Sequence, residues 1–145
     1  MKKVLVLNGP NLGMLGSREP EVYGSYTLAD LKSSLDKEFP EIDIDLRQTD
    51  SESEMISWVH EAFKTQLPVI LNAGAFTHYS YALADAVAMH TKSGNKLIEV
   101  HISNPYARES FRHKSTFSAV ATGVIAGFGF GSYRLALAEI LKEEK

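Results

Sequence analysis

Cysteine is absent from the 145 residues. That excludes disulfides, thiolate nucleophiles and Cys-based zinc sites, and it fits an intracellular setting. No excess of one charge stands out either. Lys and Arg number 15 against 18 Asp and Glu, and the net charge of −3 offers no footprint for nucleic acid or an anionic membrane. Long apolar runs are missing as well. "MKKVLVLNGP" opens like a secretory leader, yet its apolar run stops at Asn8, and the later "GVIAGFGF" falls far short of the roughly 18 residues that span a bilayer. The five histidines lack H-x-x-x-H or H-E-x-x-H spacing, so no metal is expected. There is no G-x-x-x-x-G-K-[ST], no G-x-S-x-G elbow and no G-x-G-x-x-G; "GFGFG" at 127–131 reads instead as close strand–helix packing. A soluble, cytoplasmic protein without nucleic-acid or membrane partners is expected.

What is present is ordinary in amount and ordered in pattern. Hydrophobic residues make up 44% and charged residues 23%, enough for one globular domain over 1–145 with a genuine core. Short apolar runs alternate with amphipathic segments. Val4–Leu7 is the first strand. Thr27 caps a helix running to Glu38, with Leu28, Leu31, Leu35 and Phe39 inward and Pro40 ending it. "IDIDLR" at 42–47 alternates as an edge strand, and Ser51 with Glu54 forms a capping box for a helix that turns Met55, Val59, Ala62 and Phe63 inward. "PVILNAG", "KLIEVHIS" and "TGVIAG" are three further strands, separated by a helix over Ser80–Thr91 and followed by one over Tyr133–Lys142. Five strands alternating with helices predict a flavodoxin-like, doubly wound three-layer sandwich around a five-stranded parallel sheet. In such sheets ligands bind beyond the carboxyl ends of the strands, so Asn8–Tyr23, Asn72–His78 and His101–His113 should converge.

Residues 8–24, "NGPNLGMLGSREPEVYG", form an unusually long connection, since strand-to-helix loops commonly run to about 2–6 residues. The fourth strand sets Glu99, His101 and Ser103 on one face, where a central parallel strand should be apolar; the carboxylate can orient the imidazole. Arg108 and Arg112 follow, placed to bind a carboxylate or hydroxyls with their planar forks. Asn72 offers donor and acceptor, Gly74 lets a ligand approach the backbone, and His78 is either a ligand or merely an early helix residue. Tyr23 is the phenol of the long loop, near Arg18. A phenol ionises near pH 10, and bringing it to neutrality takes about three units, or about 4 kcal/mol, which guanidinium neighbours can supply. Tyr23 would then be a general base with His101 as its acid partner.

"NGPNLGMLGSREPEVYG", "NAGAFTHYSYAL", "EVHISNPYARESFRHKS" and "GVIAGFGFGSYRLAL" together resemble, in order and spacing, type II 3-dehydroquinate dehydratase. The resemblance implies a metal-free and cofactor-free lyase of the shikimate pathway that converts 3-dehydroquinate to 3-dehydroshikimate by anti elimination through an enolate. It implies Tyr23 as base, Arg18 and Arg108 holding the phenol ionised, and Asn11 positioning a water against the enolate oxygen. It implies His101 as acid backed by Glu99, a carboxylate site of Asn72, Ser103 and the Ile102 N–H, and His78 and Arg112 on the ring hydroxyls. Asp85 matches an aspartate given by a neighbouring subunit, which implies trimers and a homododecamer. The chain departs from the family pattern at Tyr26, Asp50, Ser53, Ala73 and Ala84. A flavodoxin-like module binding FMN or a phosphorylated ligand is the alternative, but it calls for Ser and Thr after the first strand, where only Ser17 stands. The glycines and prolines of the long loop predict a lid that closes over substrate.

Overall fold

The computed structural model describes residues 2–17, 21 and 25–142. Its sheet has five parallel strands, β1 (Lys2–Asn8), β2 (Ile42–Gln48), β3 (Val69–Asn72), β4 (Leu97–His101) and β5 (Gly123–Ala126), in the order β2-β1-β3-β4-β5. Four helices of the described residues connect and cover them: α1 (Leu28–Glu38), α2 (Glu52–Thr65), α3 (Tyr81–Lys92) and α4 (Gly131–Lys142). This is the doubly wound, flavodoxin-like order, with β2 at an edge as its alternation predicts.

Alternation along the strands builds the two flanking layers. Val4, Val6, Ile70, Ile98 and Val100 face one side and pack against Leu31 and Leu35 of α1 and Ala136, Leu137 and Ile140 of α4. Leu5, Leu7, Val69, Leu71 and Leu97 face the other, against Met55, Val59 and Ala62 of α2 and Leu83 and Val87 of α3. The central strands are apolar on both faces because helices cover both. Glu99 interrupts the second face, at 1% exposure.

The helix starts carry the predicted caps with one change. At α1 the Thr27 hydroxyl accepts from Asp30 N (3.1 Å) and the Asp30 carboxylate accepts from Thr27 N (2.9 Å), a complete capping box. At α2 only half of the expected box forms. Ser51 Oγ accepts from Glu54 N (3.2 Å), but the Glu54 carboxylate takes the Thr49 hydroxyl, and it is Thr49 Oγ1 that accepts from Ser51 N (3.0 Å). Thr49, nearly buried at the end of β2, has come between the two partners. Phe63, expected inward, is only half-buried. β4 stops at His101, so Ser103 lies just past the strand, and α4 begins two residues before Tyr133.

"GFGFG" corrects another expectation. Gly127 and Gly129 hold φ of 95° and 61°, and a side chain at Gly129 would meet nothing within 4 Å. These glycines serve left-handed turns rather than close packing. Close approach occurs instead where the loops after β1 and β3 meet: a Cβ on Gly9 would fall 2.3 Å from the Ala73 carbonyl oxygen, and Gly74 (φ 58°) backs onto Pro10. That contact binds together two of the three loops predicted to converge.

Candidate active site

Beyond the carboxyl ends of β1, β3 and β4 lies a cleft, and all three loops line it. The β1 loop brings Pro10, Asn11 and Leu12; the β3 loop brings Asn72, Gly74, Ala75 and His78; the β4 loop brings His101, Ile102, Ser103, Pro105, Arg108 and Arg112. Parallel pairing puts Asn8 level with Asn72, which is why the loops leave the sheet together.

His101 and Glu99 form a tight polar contact in the cleft wall. His101 Nε2 meets Glu99 Oε2 at 2.5 Å, which leaves Nδ1 as the ring nitrogen available to a ligand. Glu99 Oε1 accepts from the hydroxyls of Ser118 (2.5 Å) and Ser115 (3.1 Å). Both serines stand on the segment returning to β5, anchored between them by the fully buried Phe117. His78 stacks beside His101, ring centroids 6.5 Å apart and 16° from parallel. Its Nδ1 bonds the Lys114 carbonyl at 2.7 Å, and burial, ahead of the neighbouring positive charges, pushes its pKa below the usual imidazole range. A neutral His78 donating from Nδ1 presents Nε2 as an acceptor for a hydroxyl. It belongs to a short 3-10 turn ahead of α3, not to the helix.

Arg108 donates to Ser103 Oγ (3.2 Å), and Arg112 is held by Glu109 (2.8 Å) and lies over the Phe111 ring at 4.6 Å. Both guanidiniums are mostly covered, at 16% and 19% side-chain exposure, so their charge acts where water screens it less. Asn72 donates one amide proton to Tyr133 Oη (2.8 Å) and accepts from Gly74 N (3.3 Å), keeping its second amide proton for a ligand. Asn11 sits in the left-handed region at φ 68°, its N–H held by Asp50 Oδ1 (2.9 Å). The Ile102 carbonyl accepts from Gly129 N at 3.0 Å, fixing the backbone at the cleft floor.

Eight of the twelve expected site residues thus line the cleft, and Glu99 stands immediately behind it, bonded to His101. Asp85 does not: it is exposed on α3, away from the cleft of its own chain. Tyr23 and Arg18, and with them the expected lid, lie outside the described residues. Sequence reasoning missed Tyr133, whose buried hydroxyl donates to Asn8 Oδ1 (2.6 Å) while accepting from Asn72. Burial pushes its phenol pKa well above the ordinary tyrosine value, so it stays protonated. Two asparagines ending adjacent apolar strands were the available signal, since buried amides need partners. The serines behind Glu99 were also missed; nothing in their spacing ties them to β4. Among the described residues no group of three or more acidic or histidine side chains is arranged to hold a metal, and no helix is long and apolar enough to cross a membrane.

Comparison with known proteins concerns the chain as a whole. The family described as Dehydroquinase class II matches residues 2–141. A 3-dehydroquinate dehydratase from Kineococcus radiotolerans is 55% identical over 137 residues, covering 93% of this chain and 92% of that protein. One from Mycobacteroides abscessus is 57% identical over 136 residues, covering 92% of each. The crystal structure of type II dehydroquinase from Propionibacterium acnes superposes with a TM-score of 0.91 at 48% identity, covering 97% of this chain and 96% of that one. Likeness in sequence and fold along almost the whole length makes this chain a member of the class II dehydroquinase family.

Proposed function

We propose that the chain is a cytoplasmic, single-domain 3-dehydroquinate dehydratase of the shikimate pathway that works through an enolate, without metal or cofactor. Family membership supports the dehydratase activity. The observation that carries the mechanism is the Glu99–His101 pair opening on a cleft flanked by two arginines. Asn72, Ser103 and the Ile102 N–H hold the substrate carboxylate, while His78 and Arg112 take the ring hydroxyls. Tyr23, ionised beside Arg18 and Arg108, removes the proton from C2. Electrons move into the carbonyl, and the enolate oxygen is met by a water that Asn11 positions. His101 then protonates the C1 hydroxyl, the C–O bond breaks, and water leaves. Glu99 holds Nε2–H throughout, so the transferred proton comes from Nδ1.

Asp85 reaches the cleft of a neighbouring subunit in a trimer, and the trimers assemble into a homododecamer. Tyr81, Asp85 and Met89 support this: they lie four residues apart on the exposed face of α3, with Tyr81 at 77% exposure. Light scattering should give a dodecamer, and Asp85→Ala should raise KM more than it lowers kcat.

The deciding assay follows the absorbance of the conjugated product from 3-dehydroquinate. Wild type should turn over between about pH 6 and 9, where a tyrosinate–imidazole pair works. Tyr23→Phe should lose about 10²–10⁴-fold in kcat. Absence of wild-type turnover across that window would overturn the dehydratase reading. Borohydride with substrate present should not inactivate, because no lysine of these motifs is placed for a Schiff base.

A further inference from the structure

The loop from Ile102 to Thr122 has two sides. Its outer half carries Arg108 and Arg112 into the cleft; its returning half passes behind β4 and brings Ser115 and Ser118 to Glu99. Phe117, with no exposed surface, locks that return into the core beneath α3, and the two serines flank it.

A carboxylate at the end of a side chain rotates broadly about its last torsion, since that torsion is sp³–sp² and shallow. Glu99 does not have that freedom. Both hydroxyls bond the same oxygen, Oε1, so the other oxygen is directed at His101 Nε2. An acceptor on Nε2 selects the tautomer protonated there and turns the ring so that Nδ1 is left for the ligand. The two serines differ in what else they do. Ser115 Oγ also accepts from Phe117 N (3.2 Å) and Ser118 N (3.0 Å), and so helps shape the turn. Among the described residues, the Ser118 hydroxyl bonds Glu99 alone.

We propose that Ser118, supported by Ser115, is a positioning residue for catalysis: acting through Glu99, it holds His101 in the tautomer and orientation that present Nδ1 to the substrate. The loop that binds substrate through its arginines therefore also sets the acid from behind. The catalytic part of this proposal rests on the dehydratase reading above; the tautomer part does not.

The test uses the full-length enzyme and three substitutions. Ser118→Ala should lower kcat roughly ten-fold, the size expected for one lost hydrogen bond to a charged group, with KM for 3-dehydroquinate unchanged. In the ligand-free protein, the imidazole ¹⁵N signals of His101 should move from a single tautomer toward a mixture. Ser118→Thr keeps the hydroxyl, and Ser118 lines a cavity of about 260 Å³ together with Glu99, so this variant should restore both readouts. Ser118→Cys keeps the size but is a weak donor, so it should fall between Ala and wild type. An unchanged kcat and unchanged ¹⁵N pattern in Ser118→Ala would overturn the proposal. So would a loss in which Thr behaves like Ala, because that pattern follows packing rather than the hydroxyl. If wild type did not act on 3-dehydroquinate, the function would fail while the ¹⁵N comparison still decided the positioning.

Discussion

Two buried polar clusters sit side by side at the carboxyl ends of adjacent strands, and they end differently. In the first, Tyr133 bridges Asn8 at the end of β1 and Asn72 at the end of β3, and the Asn8 amide nitrogen donates to the Arg47 carbonyl (3.1 Å). In the second, Ser115 and Ser118 hold Glu99, and Glu99 holds His101. Both obey the same rule, that buried polar groups must be paired. The first is nearly closed on itself and lies between neutral groups, so it fixes where two strands end. The second terminates in an imidazole with one nitrogen left over, at the rim of a cleft. Closure makes a brace; an open end makes a reactive group.

Removing the open end should have the largest effect. His101→Ala is expected to lower kcat by about 10²–10⁴-fold while leaving the melting temperature close to wild type, because the vacated space opens on the cleft and solvent can pair the freed Glu99 oxygen, as steady-state kinetics and thermal unfolding will read. Tyr133→Phe should do the reverse. It strips the hydroxyl from between two buried amides, so the chain should lose about 1–3 kcal/mol, seen as a lower denaturant midpoint at unchanged slope. Its kcat should stay within about three-fold, since the phenol is braced rather than aimed at the reaction. A Tyr133→Phe enzyme that is stable but inactive would erase the distinction between brace and reactive group.

The same contrast separates what the sequence made legible from what it did not. Strand order, the two helical layers and convergence of three loops follow from apolar periodicity and from one rule about parallel sheets. Glu99 and His101 stood out because charge inside a central strand breaks a pattern. Tyr133 broke none, since a tyrosine near a helix start suits core or surface equally, and its partner Asn8 lies 125 residues away. Ser115 and Ser118 were hidden for a like reason: serine in a polar loop is unremarkable until the fold turns that loop behind β4. The half-formed box at Ser51 failed because Thr49 competes locally, which a spacing rule does not see. Tyr23 and Arg18 rest on motif resemblance, as they lie outside the described residues.

His90 extends the comparison to the opposite end of the sheet. It is fully buried near the end of α3, facing the carbonyls of Leu67 and Lys96 without completing a good hydrogen bond to either. Burial depresses its pKa below the ordinary value. The unfolded chain therefore binds more protons than the folded one as pH falls through about 6.5, and stability declines with each step downward. The slope from one such histidine is at most about 1.4 kcal/mol per pH unit, and His78 adds in the same direction. Urea unfolding at several pH values between 5 and 7.5 (roughly the span in which an imidazole titrates) should show this decline, and His90→Leu should flatten it. An unaltered slope in that variant would mean that His90 is not a source of the acid lability.

The smallest effect belongs to a third cluster, built on the same logic but open to water. Asp50 Oδ1 accepts from Asn11 N (2.9 Å) and from Gln48 Nε2 (3.1 Å), and so steadies a non-glycine residue in the left-handed region at the cleft mouth. Asn tolerates that region better than most residues, and Asp50 is exposed, so water can replace part of what it supplies. Asp50→Ala should therefore cost only about 0.5–1 kcal/mol, read as a two- to five-fold or so change in kcat/KM. What matters is the acceptor oxygen, not the charge. Asp50→Asn retains Oδ1 in the same place and should match wild type, whereas a charge effect would make Asn resemble Ala. Measured across added salt, the Ala defect should also hold steady, because a hydrogen bond to a backbone N–H is local while screening acts on charges at longer range.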